Sequence, residues 1–170
     1  KTKTREDWDR KTKPRMVLND PSGTARIDAA SYFCHLDPYP TWSEAKAKFD
    51  AVYGRGRFVQ FVAYGPWEAT WRHHAMEALL VDVMDQPDWC AEMFSTYTAL
   101  LIAVLQRGVD MGMKPDGIFL VEDMGFKTSL LVSPRTWDAL LRPCYERIGR
   151  FVRSHGIRFL MHTDGRIWEL

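Results

Sequence analysis

Three short apolar runs, separated by longer stretches of helical periodicity, constrain the fold of this chain more than any other feature. The runs occupy residues 57–64, 117–121 and 157–161. They are short, rich in aliphatic and aromatic residues, and bounded by glycines or polar turns, as is typical of strands. The helical stretches between them are long enough for right-handed crossovers between parallel strands. The sequence therefore predicts an α/β fold with about three parallel strands and their helices.

Apolar residues recur every three or four positions between these runs, which predicts the connecting helices. One helix is expected over about 68–84, a second over 87–108 and a third over 134–156. Pro143 should kink or split the third helix, because proline lacks an N–H and its ring clashes with the preceding turn. The resulting order is strand, helix pair, strand, helix, strand.

The segment before the first strand, residues 1–56, is expected to be an irregular and partly helical lead-in. Clusters of Pro, Gly, Asn and Asp predict turns within 19–40. Thr41 and Glu44 form a capping box, in which each side chain satisfies a backbone N–H at a helix start. A helix is therefore predicted over 42–53.

Composition excludes several classes of protein. A net charge of +1 and a pI of about 7.9 leave no global field that would attract nucleic acid or an anionic membrane surface. No uninterrupted apolar run is long enough to span a bilayer. Three widely spaced cysteines (Cys34, Cys90 and Cys144) suggest neither a disulfide framework nor a zinc knuckle. A reducing cytoplasm is therefore the expected location.

Two architectures could accommodate this order of elements, an open doubly wound sheet and a (β/α) barrel. Neither a GxGxxG nor a P-loop pattern follows any strand, which weakens the nucleotide-binding forms of the open sheet. Three parallel strands alone would leave unpaired edges and exposed apolar faces. We therefore expect the chain to be an excerpt from a larger barrel.

Polar residues follow the second and third strands at the point where functional groups collect in parallel α/β folds. They are Glu122 and Asp123 after the second strand, and His162 and Asp164 after the third. Adjacent residues of an extended chain point to opposite sides. Only one of Glu122 and Asp123 should therefore face the barrel axis, whereas His162 and Asp164 share a face and Thr163 points away.

These four residues allow more than one interpretation. A carboxylate in a partly desolvated barrel mouth is suited to proton transfer, and an imidazole can assist it. His162, Asp164 and one of the two acids could instead hold zinc or another divalent ion. Acids at strand ends also commonly cap a following helix or pair with a basic residue of a neighbouring loop.

Further candidates for ligand contact follow the strand ends. Trp67, Trp71 and Arg72 could line a pocket for a planar or anionic ligand, although tryptophans there also pack between loop and helix. Lys127 is either a substrate contact or a salt-bridge partner. The adjacent histidines 73–74 are interpreted as surface residues of a helix rather than as metal ligands.

The ordered set of strand-end motifs resembles the uroporphyrinogen decarboxylase family, whose members are (β/α)8 barrels and include corrinoid-dependent methyltransferases. The resemblance extends over about two-thirds of the chain. It rests on these stretches: Gly-Pro-Trp-Glu at 65–68, Asp-Gln-Pro-Asp-Trp at 85–89, GIFLVEDMGFK at 117–127, Ser-Pro at 133–134 with Arg-Pro at 142–143, and FLMHTDG at 159–165. It implies that 57–170 is the middle portion of a partial TIM-type (β/α)8 barrel.

The decarboxylase branch implies a lyase that needs no cofactor and acts on a carboxylated tetrapyrrole or a smaller acid. Asp123 or Glu122 would then position or protonate the reacting carbon, with His162 assisting. Asp123 stands where the decarboxylase has a serine. Trp71 or Arg72 stands where it has a substrate-contacting tyrosine.

The methyltransferase branch implies a different chemistry, methyl transfer with zinc and a corrinoid protein as partner. Its zinc motif is His-x-Cys, and in this chain His162 is followed by Asp164 at the cysteine position. His162 and Asp164 would hold the metal. The resemblance also allows, without requiring, a homodimer. A third hypothesis is a non-catalytic ligand-binding barrel, or a truncated product that does not fold alone.

Overall fold

The structure, a computed structural model, describes residues 2–16, 18 and 42–170. The predicted turns within 19–40 and the Thr41 cap lie outside the described residues. The helix predicted over 42–53 is confirmed, since a helix occupies Trp42–Tyr53.

Strands and helices alternate along the chain as predicted. An N-terminal helical segment comes first, made of the short helix α1, a π-helical turn at Trp8–Thr12 and a 3-10 turn at Lys13–Arg15. The elements are α1 (Arg5–Asp7), α2 (Trp42–Tyr53), β1 (Gln60–Tyr64), α3 (Pro66–His74), α4 (Met76–Asp85), α5 (Pro87–Asp110), β2 (Gly117–Val121), α6 (Pro134–Leu140), α7 (Arg142–Ser154) and β3 (Arg158–His162).

The three strands form one parallel sheet in the order β1-β2-β3. Gln60 pairs with Gly117, and Gly117 pairs with Arg158, so the three strands begin in register. The predicted α/β class with three parallel strands is confirmed. Among the described residues, no helix combines the length and apolar character needed to cross a membrane.

The crossover helices pack on one face of the sheet. Ile118 and Leu120 of β2 point to that face and are buried. They form a core cluster with Tyr97, Leu101 and Leu105 of α5 and with Ile148 and Val152 of α7. Hydrophobic burial at this layer accounts for much of the stabilisation that holds the helices on the sheet. The crossover helices therefore cover one face of the sheet and fix the strands through contacts on that face.

The opposite face of the sheet is apolar and partly exposed among the described residues. We call it the open face and define it by Val62, Phe119 and Leu160, which alternate with the helix-facing residues along their strands. Val62 is 40% exposed, whereas Ile118 on the helix-facing side is almost fully buried.

The N-terminal segment packs against α3 and α5. Trp8 is fully buried in a second core cluster and stacks on His73 at 5.7 Å between ring centroids. The imidazole of His74 lies between the carbonyl of Thr2 and a carboxylate oxygen of Asp82, at 2.8 and 2.6 Å. The interpretation of residues 73–74 as surface residues was therefore wrong, because this segment covers them.

Two predicted helices are split in the structure. The helix expected over 68–84 is divided at Ala75, whose φ of 86° is left-handed. His74, the residue before the break, forms hydrogen bonds with Thr2 of the N-terminal segment and with Asp82 of α4. The split predicted at Pro143 is confirmed, since α6 ends at Leu140 and α7 begins at Arg142.

Candidate active site at the carboxyl edge of the sheet

The strand register places the predicted polar residues along one edge of the sheet. Tyr64, Val121 and His162 end their strands side by side. Glu122 follows directly, and its backbone N–H donates to the carbonyl of His162 at 2.9 Å. Residues after neighbouring parallel strands therefore meet at this carboxyl edge.

His162 lies between two carboxylates. Its Nδ1 is 3.5 Å from Oδ1 of Asp123, and its Nε2 is 3.5 Å from Oδ1 of Asp164. The imidazole side chain is 44% exposed and its ring lies 6.5 Å from the ring of Phe119 on the open face. The arrangement brings together three of the four predicted catalytic residues. We call these three residues the carboxyl-edge triad.

The loops after β2 and β3 approach each other closely, and glycines permit that approach. A Cβ at Gly125 would collide with the backbone carbonyl of Asp164. Gly165 has a φ of 78°, and a Cβ there would lie 2.5 Å from the carbonyl oxygen of Phe126. The hydroxyl of Thr163 accepts the N–H of Met124 at 3.1 Å. These contacts fix Asp164 beside the end of β2.

The carboxyl-edge triad has a donor set suited to a divalent cation. One ligand atom from each of Asp123, His162 and Asp164 lies within 4.8 Å of the other two. Oδ1 of Asp123 is shielded from solvent and has no hydrogen-bond partner among the described residues. Imidazole nitrogen with carboxylate oxygen suits zinc, manganese or a similar ion. Of the two acids that the sequence left open, Asp123 is the one beside the imidazole.

Glu122 points to the other side of the sheet and is fully buried. Its carboxylate accepts the N–H of Trp67 at 3.1 Å and that of Glu68 at 2.6 Å, both in the first turn of α3. The hydroxyl of Tyr145 on α7 donates to the same carboxylate. A Cβ at residue 65 would occupy the position of this carboxylate, so Gly65 is required there.

Burial raises the pKa of Glu122 to about 8, even though three hydrogen bonds from Tyr145, Glu68 and Trp67 act to lower it. The positive end of the helix macrodipole also favours negative charge at this position. Sequence reasoning missed Tyr145. It lies 23 residues from Glu122 on another element, so no local pattern could have identified it.

Of the residues predicted to contact a ligand after β1, Trp67 is buried and Arg72 is partly exposed. Trp67 is 1% exposed and packs 6.1 Å from the ring of Phe94, which leaves no surface for a ligand in this conformation. The guanidinium of Arg72 lies over the rings of Tyr64 and Trp71, at 4.3 and 4.6 Å from their centroids.

Arg72 is also paired with an acid of its own helix, because its Nη2 is 2.6 Å from Oε1 of the buried Glu68. Trp71 donates its indole N–H to the other oxygen of Glu68 at 2.7 Å. Arg72 keeps a partly exposed guanidinium at the end of β1. Lys127 is exposed in the loop after β2.

Comparison of the chain with protein-family models, with curated proteins and with solved structures found no match. The chemistry of the site must therefore be inferred from its own residues.

Proposed function

We propose that the chain forms part of a (β/α)-barrel enzyme that resembles the uroporphyrinogen decarboxylase family and removes carbon dioxide from a carboxylated small molecule. The consecutive strand order with helices on one face supports the barrel. In doubly wound sheets helices cover both faces, whereas a barrel buries its second face in its own interior. The apolar open face (Val62, Phe119 and Leu160) suits such an interior.

The observation that carries the reaction is the placement of the His162 imidazole between two carboxylates, each 3.5 Å from a different ring nitrogen. In decarboxylation the bond to the carboxylate breaks, carbon dioxide leaves and the electron pair stays on carbon. A ring N–H of His162 would protonate that carbon, and water would then return the proton to the ring. Asp123 and Asp164 would orient the ring.

The substrate would be a carboxylated tetrapyrrole or a smaller acid. Two carboxylates at the carboxyl-edge triad repel an anionic substrate, so a cation is needed nearby to hold it. Arg72 supports this role with a partly exposed guanidinium that is oriented by the rings of Tyr64 and Trp71. Lys127 could contribute a second positive charge from the loop after β2.

Carbon dioxide release from a panel of carboxylates tests this proposal, with uroporphyrinogen and small pyrrole carboxylic acids included. With a substrate that is turned over, Asp123→Asn should lower kcat by about 10-fold to 100-fold, because the ring loses one orienting partner. Asp110→Asn, which changes an exposed aspartate at the end of α5, is the matched control. An unchanged rate in Asp123→Asn would remove the acid from the mechanism.

A second candidate function is methyl transfer with a metal ion and a corrinoid protein. One observation favours it, the three ligand atoms of the carboxyl-edge triad within 4.8 Å of one another. The metal would be held by His162, Asp164 and Asp123. An oxygen ligand is harder and donates less charge than the thiolate of a His-x-Cys motif, so the metal held here would differ electronically from the zinc of that motif.

Calorimetric titration with zinc and with manganese decides whether this site binds metal. Binding to the wild type and loss of binding in Asp164→Asn would support the metal-dependent function. The control is Asp138→Asn, whose exposed carboxylate is paired with Arg142. Equal binding by the wild type and Asp164→Asn would exclude the triad as the metal site.

A further inference from the structure

Glu122 connects the carboxyl edge of the sheet to two helices. Its backbone N–H donates to the carbonyl of His162, and the next residue is Asp123. Its side chain leaves the opposite face and receives hydrogen bonds from the first turn of α3 and from Tyr145 of α7. One buried residue therefore contacts four elements: β2, β3, α3 and α7.

The three partners of this carboxylate constrain its chemistry. Two are backbone N–H groups, of Trp67 and Glu68, and these can only donate. The third is the hydroxyl of Tyr145, which can donate or accept. When ionised, the two carboxylate oxygens accept from all three partners; when protonated, the carboxyl O–H donates to the Tyr145 hydroxyl and the two oxygens still accept both N–H groups. An amide at the same place would turn its NH2 group toward an N–H and leave that donor unsatisfied inside the protein.

The surroundings leave no room for a substrate at Glu122. The side chain is fully buried, and its carboxylate lies where a Cβ at residue 65 would be, a position that Gly65 leaves open. Asp123 and His162 lie on the other face of the sheet, with partly exposed side chains. Glu122 therefore cannot transfer a proton to a molecule bound at the carboxyl-edge triad without passing through the sheet.

We propose that Glu122 is a positioning residue of the carboxyl-edge triad, which sets the separation between Asp123 and His162 by anchoring the end of β2 to the starts of α3 and α7. This inference rests on the proposed function, in which His162 is the reacting group. It assigns Glu122 a different role from direct catalysis, and it gives Tyr145 the role of a second positioning residue.

Glu122→Gln tests this inference in two ways. If the end of β2 shifts, kcat should fall by about 10-fold to 100-fold while KM changes less than about 3-fold, since small displacements of reacting groups cost rates of this size. In parallel, the ¹⁵N shift of His162 Nδ1 should move in the same direction as it does in Asp123→Asn, because Asp123→Asn replaces the carboxylate beside that nitrogen and Glu122→Gln would move it away.

The nitrogen shifts do not depend on turnover, so they separate this inference from the proposed function. A folded Glu122→Gln protein in which the His162 shifts equal those of the wild type would overturn the positioning role. Full activity of a His162 variant would overturn the proposed function and leave the nitrogen result standing. Glu146→Gln, an exposed acid on α7, is the control and should change neither quantity.

Tyr145→Phe provides a second route if Glu122→Gln does not fold. It removes one of the three donors and keeps the ring, which stacks on Trp137 at 5.8 Å. A smaller displacement of the same His162 shift is expected. Tyr53→Phe on α2 changes an exposed hydroxyl and is the matched control. Unchanged shifts in Tyr145→Phe would contradict the proposal.

Discussion

Glu122 and Asp123 are neighbours in sequence with opposite environments. Strand alternation sends one to the interior between helices and the other to the edge beside His162. Alternation predicted that only one of the pair would face the site, but it could not say which. The choice depends on the first turn of α3 and on Tyr145, whose contacts with Glu122 are distant in sequence.

The buried Glu122 should make stability depend on pH. Its pKa is about 8 in the folded protein against an ordinary value of 4.5. Between these values the folded state holds a proton that the unfolded state has lost. Stability from this group is therefore complete below about pH 4.5 and declines as pH rises toward 8, by at most roughly 1.4 kcal/mol per pH unit.

Urea unfolding at pH 5, 6, 7 and 8 measures this dependence. Glu122→Gln removes the titrating group, so the free energy of unfolding should fall less steeply with pH than in the wild type. Glu146→Gln should keep the wild-type slope, because Glu146 is exposed. Equal slopes for wild type and Glu122→Gln would show that this carboxyl titrates alike in both states.

At the scale of elements, two loops position the carboxyl-edge triad, and glycines allow them to meet. Gly165→Ala should destabilise the protein by about 1–3 kcal/mol, because alanine is strained at a φ of 78° and its Cβ would meet the carbonyl of Phe126. Gly56→Ala is the control, since its φ is 66° and no atom lies within 4 Å of a Cβ there.

In both glycine variants the alanine has a positive φ and is strained. The difference between their unfolding free energies therefore measures the collision with the carbonyl of Phe126, which only the Gly165 variant makes. We expect Gly165→Ala to be the less stable protein by more than about 1 kcal/mol in urea unfolding. Equal destabilisation of the two variants would mean that the loops after β2 and β3 can separate freely.

Secondary structure was largely predictable from the sequence, because periodicity and helix-start signals are local. Pro143 divided the last helix as expected, and the three strands fall where the apolar runs predicted them. The break at Ala75 was not predictable, since nothing in that residue favours a φ of 86°. The burial of His74 also depends on a distant segment, at Thr2.

For the whole molecule, the open face of the sheet is the feature that a barrel would bury. If further strands close over it, the 170-residue chain studied alone should bind an apolar dye and self-associate through that face. Val62→Lys should reduce both, because it places a charge on the open face. Val81→Lys is the matched control, since Val81 is 56% exposed on α4.

Dye fluorescence and light scattering after size exclusion report these two properties. A reduction in Val62→Lys that exceeds the reduction in Val81→Lys would agree with a barrel interior. Equal behaviour of the two variants would argue that the open face is an ordinary solvated surface, and the barrel part of the proposal would then fail.

The central claim is that His162, held between Asp123 and Asp164, is the reacting group. The most direct measurement is kcat/KM for carbon dioxide release by His162→Asn beside the wild type. His155→Asn is the matched control, because His155 follows α7 at the opposite edge of the sheet. We predict a loss of at least about 100-fold in His162→Asn and less than about 2-fold in His155→Asn. Wild-type kcat/KM in His162→Asn would contradict the claim.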